Sequence, residues 1–238
     1  MNILSRYIRK AVRARGFDMI HYAPWENLFA RFGIDLILDV GANAGQSYDS
    51  FRWAGFKGPI CSFEPNPETF RRLERRPGSD WQRLPYALSS RSGSADFYLT
   101  SSDNADSLHL PLANVRVRDK ITVSTYRLDE LWSKLGFTAR NAFLKIDAEG
   151  HDLEVIKGAY GVLDRIPVIM VEIAPIPRFK DEPPLPFFVD FMDHLGFCVC
   201  RAEKNCMNRA VGIDTAFDMV FVKRELAVKA LAEMAGSR

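Results

Sequence analysis

The stretch Leu36-Ile37-Leu38-Asp39-Val40-Gly41-Ala42-Asn43-Ala44-Gly45 joins a short apolar run to a turn that only small residues can make. Broken only by Asp39, the run suits a central parallel strand buried on both faces. Gly41 and Gly45 permit positive φ and close approach of a ligand to the backbone, and Asn43 is among the few other residues that tolerate the left-handed region. A helix beginning at Gln46 would then present free N–H groups to an anionic group. The stretch predicts a strand, a turn and a helix that together hold a nucleotide-type cofactor.

A second acid supports this. The apolar segment 59–63 ends at Glu64, about 20 residues beyond the glycine turn, where a doubly wound fold puts the carboxylate that accepts hydrogen bonds from ribose hydroxyls. Pro65 and Pro67 stop that strand, and Pro67 opens the next helix as proline at a first turn does. The dinucleotide fingerprint G-x-G-x-x-G would need glycine at 43 and 46, where the chain has Asn43 and Gln46. S-adenosylmethionine fits better: its methionine carboxylate can sit at the glycine turn and its ribose can meet Glu64. A nicotinamide-dependent oxidoreductase is the rival reading, and a cofactor-binding module without turnover is another.

Four blocks in order, Asp39-Val40-Gly41-Ala42-Asn43-Ala44-Gly45, Phe63-Glu64-Pro65-Asn66-Pro67, Ala87-Leu88-Ser89 and Leu144-Lys145-Ile146-Asp147-Ala148-Glu149-Gly150, resemble the FkbM-type S-adenosylmethionine-dependent methyltransferases over residues 35–223. The resemblance implies an α/β Rossmann-like methyltransferase fold: a mostly parallel seven-stranded sheet with an antiparallel edge hairpin and helices on both faces. It also implies methylation of a hydroxyl on a sugar, glycan, glycolipid or secondary metabolite. The residues expected to hold S-adenosylmethionine are Asp39, Gly41, Asn43, Gly45, Glu64, Pro65, Tyr86, Ala87, Leu88 and Asp147.

With 238 residues, 47% hydrophobic and 26% charged, the chain has the composition of one globular α/β domain. Its 32 basic and 30 acidic residues nearly cancel, so no nucleic-acid partner is expected. No apolar stretch reaches the ~18 residues of a membrane span, and the first turns are too charged for a secretory signal, which predicts a cytoplasmic protein. Residues 1–16 nevertheless carry Arg6, Arg9, Lys10, Arg13 and Arg15 with apolar residues at helical spacing. Peripheral contact with an anionic membrane and packing on the domain or a partner subunit are both open for this segment. The expected organisation is a basic amphipathic helical segment over 1–30, the methyltransferase domain over 31–225 and a helical tail over 226–238.

Strands are expected at 81–84, at 94–99 paired with 120–126, at 142–146 and 168–171, and at 197–200 with 217–222 as the closing hairpin. Helices are expected over 128–135, 153–163 and 187–195, giving the βα alternation of a parallel sheet. The polar segment 100–114 reads as a cover for a substrate; the proline-rich segment 174–186, on the carboxyl edge where open α/β sheets bind ligands, is open as a substrate lid or as a rigid crossover without ligand contact.

Methyl transfer to oxygen is an in-line displacement that also requires loss of a hydroxyl proton. Candidate catalytic residues are Asp147, Glu149 and His151 at one strand end and Glu172 at the next, with His109 as an alternative base. Glu172 needs a partner, for which Lys145 or a substrate hydroxyl would serve. Asp147 could instead cap the helix starting near Gly150. His194, Cys198, Cys200 and Cys206 lack paired zinc spacing, so the cysteines read as core residues and no metal is predicted.

Overall fold

The computed structural model describes residues 25–101, 105–112, 115–208 and 213–236. In chain order the elements are α1 (Trp25–Arg31), β1 (Leu36–Val40), α2 (Gln46–Trp53), β2 (Ile60–Phe63), α3 (Pro67–Glu74), β3 (Trp81–Leu84), β4 (Ala87–Leu88), β5 (Gly93–Thr100) and β6 (Val117–Tyr126). There follow α4 (Leu128–Lys134), β7 (Ala142–Ile146), α5 (Asp152–Lys157), β8 (Val168–Ile173), α6 (Leu185–His194), β9 (Phe197–Asn208), β10 (Ile213–Lys223) and α7 (Arg224–Gly236).

Seven strands form one sheet in the order β3-β2-β1-β7-β8-β10-β9. From β3 to β8 every pairing is parallel, while β10 runs antiparallel to both β8 and β9. The order reverses between β1 and β7, which makes their carboxyl ends the topological switch point. Residues alternate faces along β1: Leu36, Leu38 and Val40 join a core with Leu128, Trp132, Val155 and Phe188, whereas Ile37 joins Phe29, Tyr48 and Phe51 on the other side. Each such buried side chain is worth roughly 1.5–3 kcal/mol.

Beside the main sheet, β4, β6 and β5 form a three-stranded sheet over a small core of Ala87, Phe97, Leu99 and Val123. The β5–β6 pair is antiparallel, as its alternating pattern predicts.

The helix expected over 153–163 is broken. It divides into α5 and a 3₁₀ turn at Tyr160–Arg165; at the break the Gly158 carbonyl accepts the Asp129 N–H at 3.0 Å, and a Cβ at Gly158 would lie 2.1 Å from the Ser89 carbonyl oxygen. The closing hairpin is longer than its apolar stretches suggest. Cys200 is exposed and Cys198 half-buried on that edge strand, which corrects the reading of them as core residues. The side chain of Cys206 lies outside the described residues, as do residues 1–16 and the membrane contact considered for them. The expected domain boundaries near 30 and 226 fall inside α1 and α7, both of which pack on the core through Phe29, Leu226 and Ala227. Among the described residues no helix is long and apolar enough to cross a membrane.

Candidate active site

A cavity of about 470 Å³ opens at the carboxyl ends of β1, β2, β7 and β8, within the range of small-molecule sites. Gly41, Asn43, Gln46 and Ser47 line one wall, Glu64, Pro65, Tyr86, Ala87 and Leu88 a second, and Lys145, Asp147, Glu149, His151, Glu172 and Arg178 the far end.

The turn after β1 adopts the conformations its residues allow: φ is 72° at Gly41, 47° at Asn43 and 89° at Gly45. The demand for glycine, however, comes from packing rather than from a ligand. A Cβ at Gly41 would fall 1.8 Å from the Asp147 carbonyl oxygen, and one at Gly45 would meet Trp81 at 2.7 Å. Gly45 therefore stands behind the cavity wall. No side chain caps the N-terminus of α2, and its first residues Gln46 and Ser47 line the cavity, where the N–H groups of a helix start favour a carboxylate.

Glu64 is 6% exposed. One of its oxygens accepts the Asn43 N–H at 2.9 Å and the other the Asn66 N–H at 2.8 Å, so each keeps acceptor capacity for a ribose hydroxyl. Burial pushes its carboxyl up to about 7 against the pull of those two N–H groups. Asn66 caps α3 through its side-chain oxygen and donates to Asp106 at 2.7 Å, which brings Asp106 of the 100–114 segment to the cavity rim. These donors and acceptors fit S-adenosylmethionine: an uncapped helix start for the carboxylate, a carboxyl for the ribose diol and the Tyr86–Leu88 wall for the adenine.

Asp39 does not line the cavity. It is fully buried, takes the Ser62 hydroxyl at 3.1 Å on one oxygen and faces Lys145 Nζ at 3.4 Å with the other. Lys145 also donates to Asp147 at 3.2 Å and to the Gly41 carbonyl at 3.2 Å. Burial opposes the Lys145 charge, but Asp147 and Asp39 outweigh it and hold the ammonium above its ordinary range. Asp39 thus acts on the site through Lys145, not by touching a ligand.

Lys145 is consequently not the partner of Glu172. That role falls to Arg178 from the proline-rich segment, whose guanidinium reaches Glu172 at 3.2 Å and Glu149 at 3.4 Å. The Glu172 carboxyl is also hydrogen-bonded to Asp147. Burial first and the charge of Asp147 second raise both Glu149 and Glu172 well above the usual carboxylate range, with Arg178 pulling the other way. Asp218, the cross-strand neighbour of Glu172 on β10, adds to the rise. Glu149 sits at φ 50°, an uncommon conformation for a residue with a side chain and one found preferentially at functional sites.

His151 has both ring nitrogens engaged, Nδ1 with His109 Nε2 at 2.7 Å and Nε2 with Ser89 Oγ at 2.9 Å. Burial, with His109 alongside, lowers it to about 3. A neutral imidazole with no free nitrogen cannot take a proton directly from an acceptor, which corrects its candidacy as a base. His109 is likewise spent on His151 and the Lys180 carbonyl. The helix-capping role considered for Asp147 is not seen: His151 is the N-cap of α5 and no side chain caps it, while Asp152 accepts the Ala148 and Gly150 N–H groups of the preceding turn.

Arg178, Asp106 and Thr215 are cavity residues that the sequence reading did not single out. Arg178 stands in a proline-rich loop, where nothing local marks it as the partner of the acids. Thr215 falls at a register shift in the β9–β10 ladder, a re-aiming device with no sequence mark of its own.

The methyltransferase FkbM domain model matches residues 39–199. Hexuronic acid methyltransferase AglP of Haloferax volcanii is 36% identical over 143 residues, 58% of this chain and 56% of that protein. The 2-O-methyltransferase NoeI of Sinorhizobium fredii is 27% identical over 172 residues, 66% of this chain and 70% of that protein. The chain spans little more than half the length of the first of these relatives. An rRNA methylase from Streptococcus thermophilus superposes with a TM-score of 0.47 at 11% identity, over 86% of this chain and 99% of that one. The family match covers more than half of the chain and takes in the ends of β1, β2, β7 and β8 on which the cavity is built, and the chain belongs to the FkbM methyltransferase family.

Proposed function

We propose that the protein transfers a methyl group from S-adenosylmethionine to a hydroxyl of a sugar, free or within a glycan or glycolipid. The observation that carries this reading is that one cavity joins Glu64 and the glycine turn at one end to the hydrogen-bonded Asp147 and Glu172 at the other. The sugar acceptor is supported by the two relatives, whose names describe a hexuronic acid methyltransferase and a 2-O-methyltransferase.

S-adenosylmethionine supplies an electrophilic methyl on a sulfonium when bound. Glu64 would bind the ribose diol, the start of α2 would receive the carboxylate, and Tyr86, Ala87 and Leu88 would flank the adenine. Asp147 is the base in this reading: it has lone pairs beyond those taken by Lys145 and Glu172, and it lines the cavity. It would accept the proton that the acceptor hydroxyl must lose. Glu149 and Glu172, biased toward their protonated forms, and Arg178 orient the sugar hydroxyls. Asn43 and Gln46 in place of fingerprint glycines leave the nicotinamide reading unsupported.

The test is calorimetry with S-adenosylhomocysteine followed by mass spectrometry of sugar and glycan extracts incubated with methyl-labelled S-adenosylmethionine. Binding and a product labelled on oxygen are expected. Absence of S-adenosylhomocysteine binding would overturn the reading.

A further inference from the structure

Two loops distant in sequence meet over the acceptor end of the cavity as a short antiparallel ribbon. Leu112 N–H donates to the Arg178 carbonyl at 2.8 Å, Lys180 N–H to the Leu110 carbonyl at 2.7 Å, and Pro111 and Phe179 pair between them. Phe179 is buried against Gly150, where a Cβ would come within 2.9 Å of the Phe179 Cβ. Ser107 Oγ donates to the Glu149 carbonyl at 2.6 Å and accepts the His109 N–H at 2.9 Å. Arg178, which reaches into the site between two glutamates, is therefore carried on a flap rather than on the sheet.

Along one side of this flap runs a line of hydrogen bonds from Ser89 through His151 and His109 to the Lys180 carbonyl. A carbonyl only accepts, so His109 Nδ1 carries a proton. With a lone pair at His109 Nε2, His151 Nδ1 is the donor between the two rings. That leaves His151 Nε2 to accept the Ser89 hydroxyl. Ser89 follows Leu88 of the proposed adenine wall, and Lys180 lies two residues beyond Arg178, so the line ties the cofactor side of the cavity to the acceptor side.

We propose that His109 is a positioning residue for the acceptor. It fixes His151 as the Nδ1–H tautomer and, through the Lys180 carbonyl, holds the flap so that Arg178 stands between Glu149 and Glu172. The inference rests on the sugar-methyltransferase reading for its kinetic consequence, though not for its spectroscopic one.

Long-range ¹H–¹⁵N spectra of the ligand-free protein test the tautomer without any turnover. His151 is expected to be neutral and protonated at Nδ1, the minor form of a free imidazole in water. Protonation at Nε2 instead overturns the proposal. In H109A the His151 proton should move to Nε2, and the acceptor KM should rise about tenfold, the equivalent of one buried hydrogen bond, while affinity for S-adenosylhomocysteine holds. H109Q, whose side-chain oxygen can accept the His151 proton, should keep the Nδ1–H form and a KM near the wild-type value. An unchanged KM in H109A, or a fall in kcat alone, overturns the positioning role. Should H109A not fold, the wild-type tautomer and H109Q decide it. Failure of S-adenosylhomocysteine to bind the wild type would strike the methyltransferase reading and leave the tautomer measurement intact.

Discussion

Lys145 Nζ stands 3.4 Å from Asp39 Oδ1 across the β1–β7 pair, with both side chains almost wholly withdrawn from water. The contact is one link in a polar row that crosses four strands: the Trp81 indole N–H donates to Ser62, Ser62 to Asp39, and Lys145 then bridges Asp39 to Asp147. Removing one member of a buried ion pair leaves the other charge short of a partner and costs about 3–5 kcal/mol. D39A should therefore lower the melting temperature by roughly 6–20 °C, given about 2–4 °C per kcal/mol for a chain of this size. S62A removes one bond from the Trp81 indole and one to the Asp39 carboxylate but leaves the ion pair in place, so it should cost less than D39A. Calorimetry in which D39A costs no more than S62A would show that the pair carries no such weight.

Glu64 predicts a pH dependence of definite sign. Its folded pKa of about 7 exceeds the ordinary 4.5, so across that interval the native protein retains a proton that the unfolded chain has released. The group's stabilising contribution is complete below about pH 4.5 and is lost as pH rises through about 7. E64Q cannot ionise. Its stability relative to wild type should improve by up to about 3 kcal/mol between pH 5 and pH 8, whatever fixed cost its altered bonds to Asn43 and Asn66 impose. Because hydroxyl donors favour the carboxylate, wild-type affinity for S-adenosylhomocysteine should strengthen over the same interval. Denaturant titrations of both proteins at the two pH values, showing a constant difference, would contradict this.

What the sequence disclosed and what it withheld divide along physical lines. The strand at 36–40 and the acid at Glu64 are legible because burial on both faces, positive φ and strand termination leave local marks. The carboxyl cluster at 147, 149 and 172 is legible because it lies at strand ends. Arg178 is not, since its place depends on Leu110 and Leu112 pairing with residues 178–180, and backbone pairing between loops leaves no periodicity. Nor is the engagement of His151: its residue type suits a base, but only the fold shows that Ser89 and His109 occupy both nitrogens. The glycines are legible for their φ angles, while the close approach that excludes a Cβ at Gly41 comes from the residue that follows β7, more than a hundred positions away.

That close approach makes a paired comparison possible. Gly41 and Gly136 have nearly the same φ, 72° and 67°, but a Cβ at Gly41 would strike the Asp147 carbonyl oxygen at 1.8 Å whereas one at Gly136 meets nothing within 4 Å. G136A should cost only the left-handed strain of about 1–2 kcal/mol. G41A adds separation of β1 from the Asp147 backbone, where Asp147 N–H donates to the Val40 carbonyl at 3.1 Å. It should lower the melting temperature well beyond G136A and weaken S-adenosylhomocysteine binding, while G136A binds normally. Equal losses of stability in the two variants would refute the packing explanation.

The hydrogen bond between Glu172 and Asp147 makes the most direct prediction about chemistry. Glu172 is held above the usual carboxylate range by burial and by the charge of Asp147, so at neutral pH it serves as a donor to Asp147 rather than as a second anion. A glutamine in its place retains a donor; an alanine does not. E172Q should keep kcat within about tenfold of wild type, and E172A should fall further, whereas D147N removes the base and should lose about 10²–10⁴. S-adenosylhomocysteine affinity should be little changed in E172Q and E172A, since Glu64 and the glycine turn are untouched. The sign of the pH effect follows from the raised pKa: as pH climbs through it, wild-type Glu172 loses the proton it donates and becomes a like charge beside Asp147, so kcat/KM should decline on the alkaline side. E172Q has no proton to lose there, and its alkaline decline should be absent. An alkaline limb that persists unchanged in E172Q, or an E172Q as inactive as E172A, would remove Glu172 as the donor and leave Asp147 to be oriented by Lys145 alone.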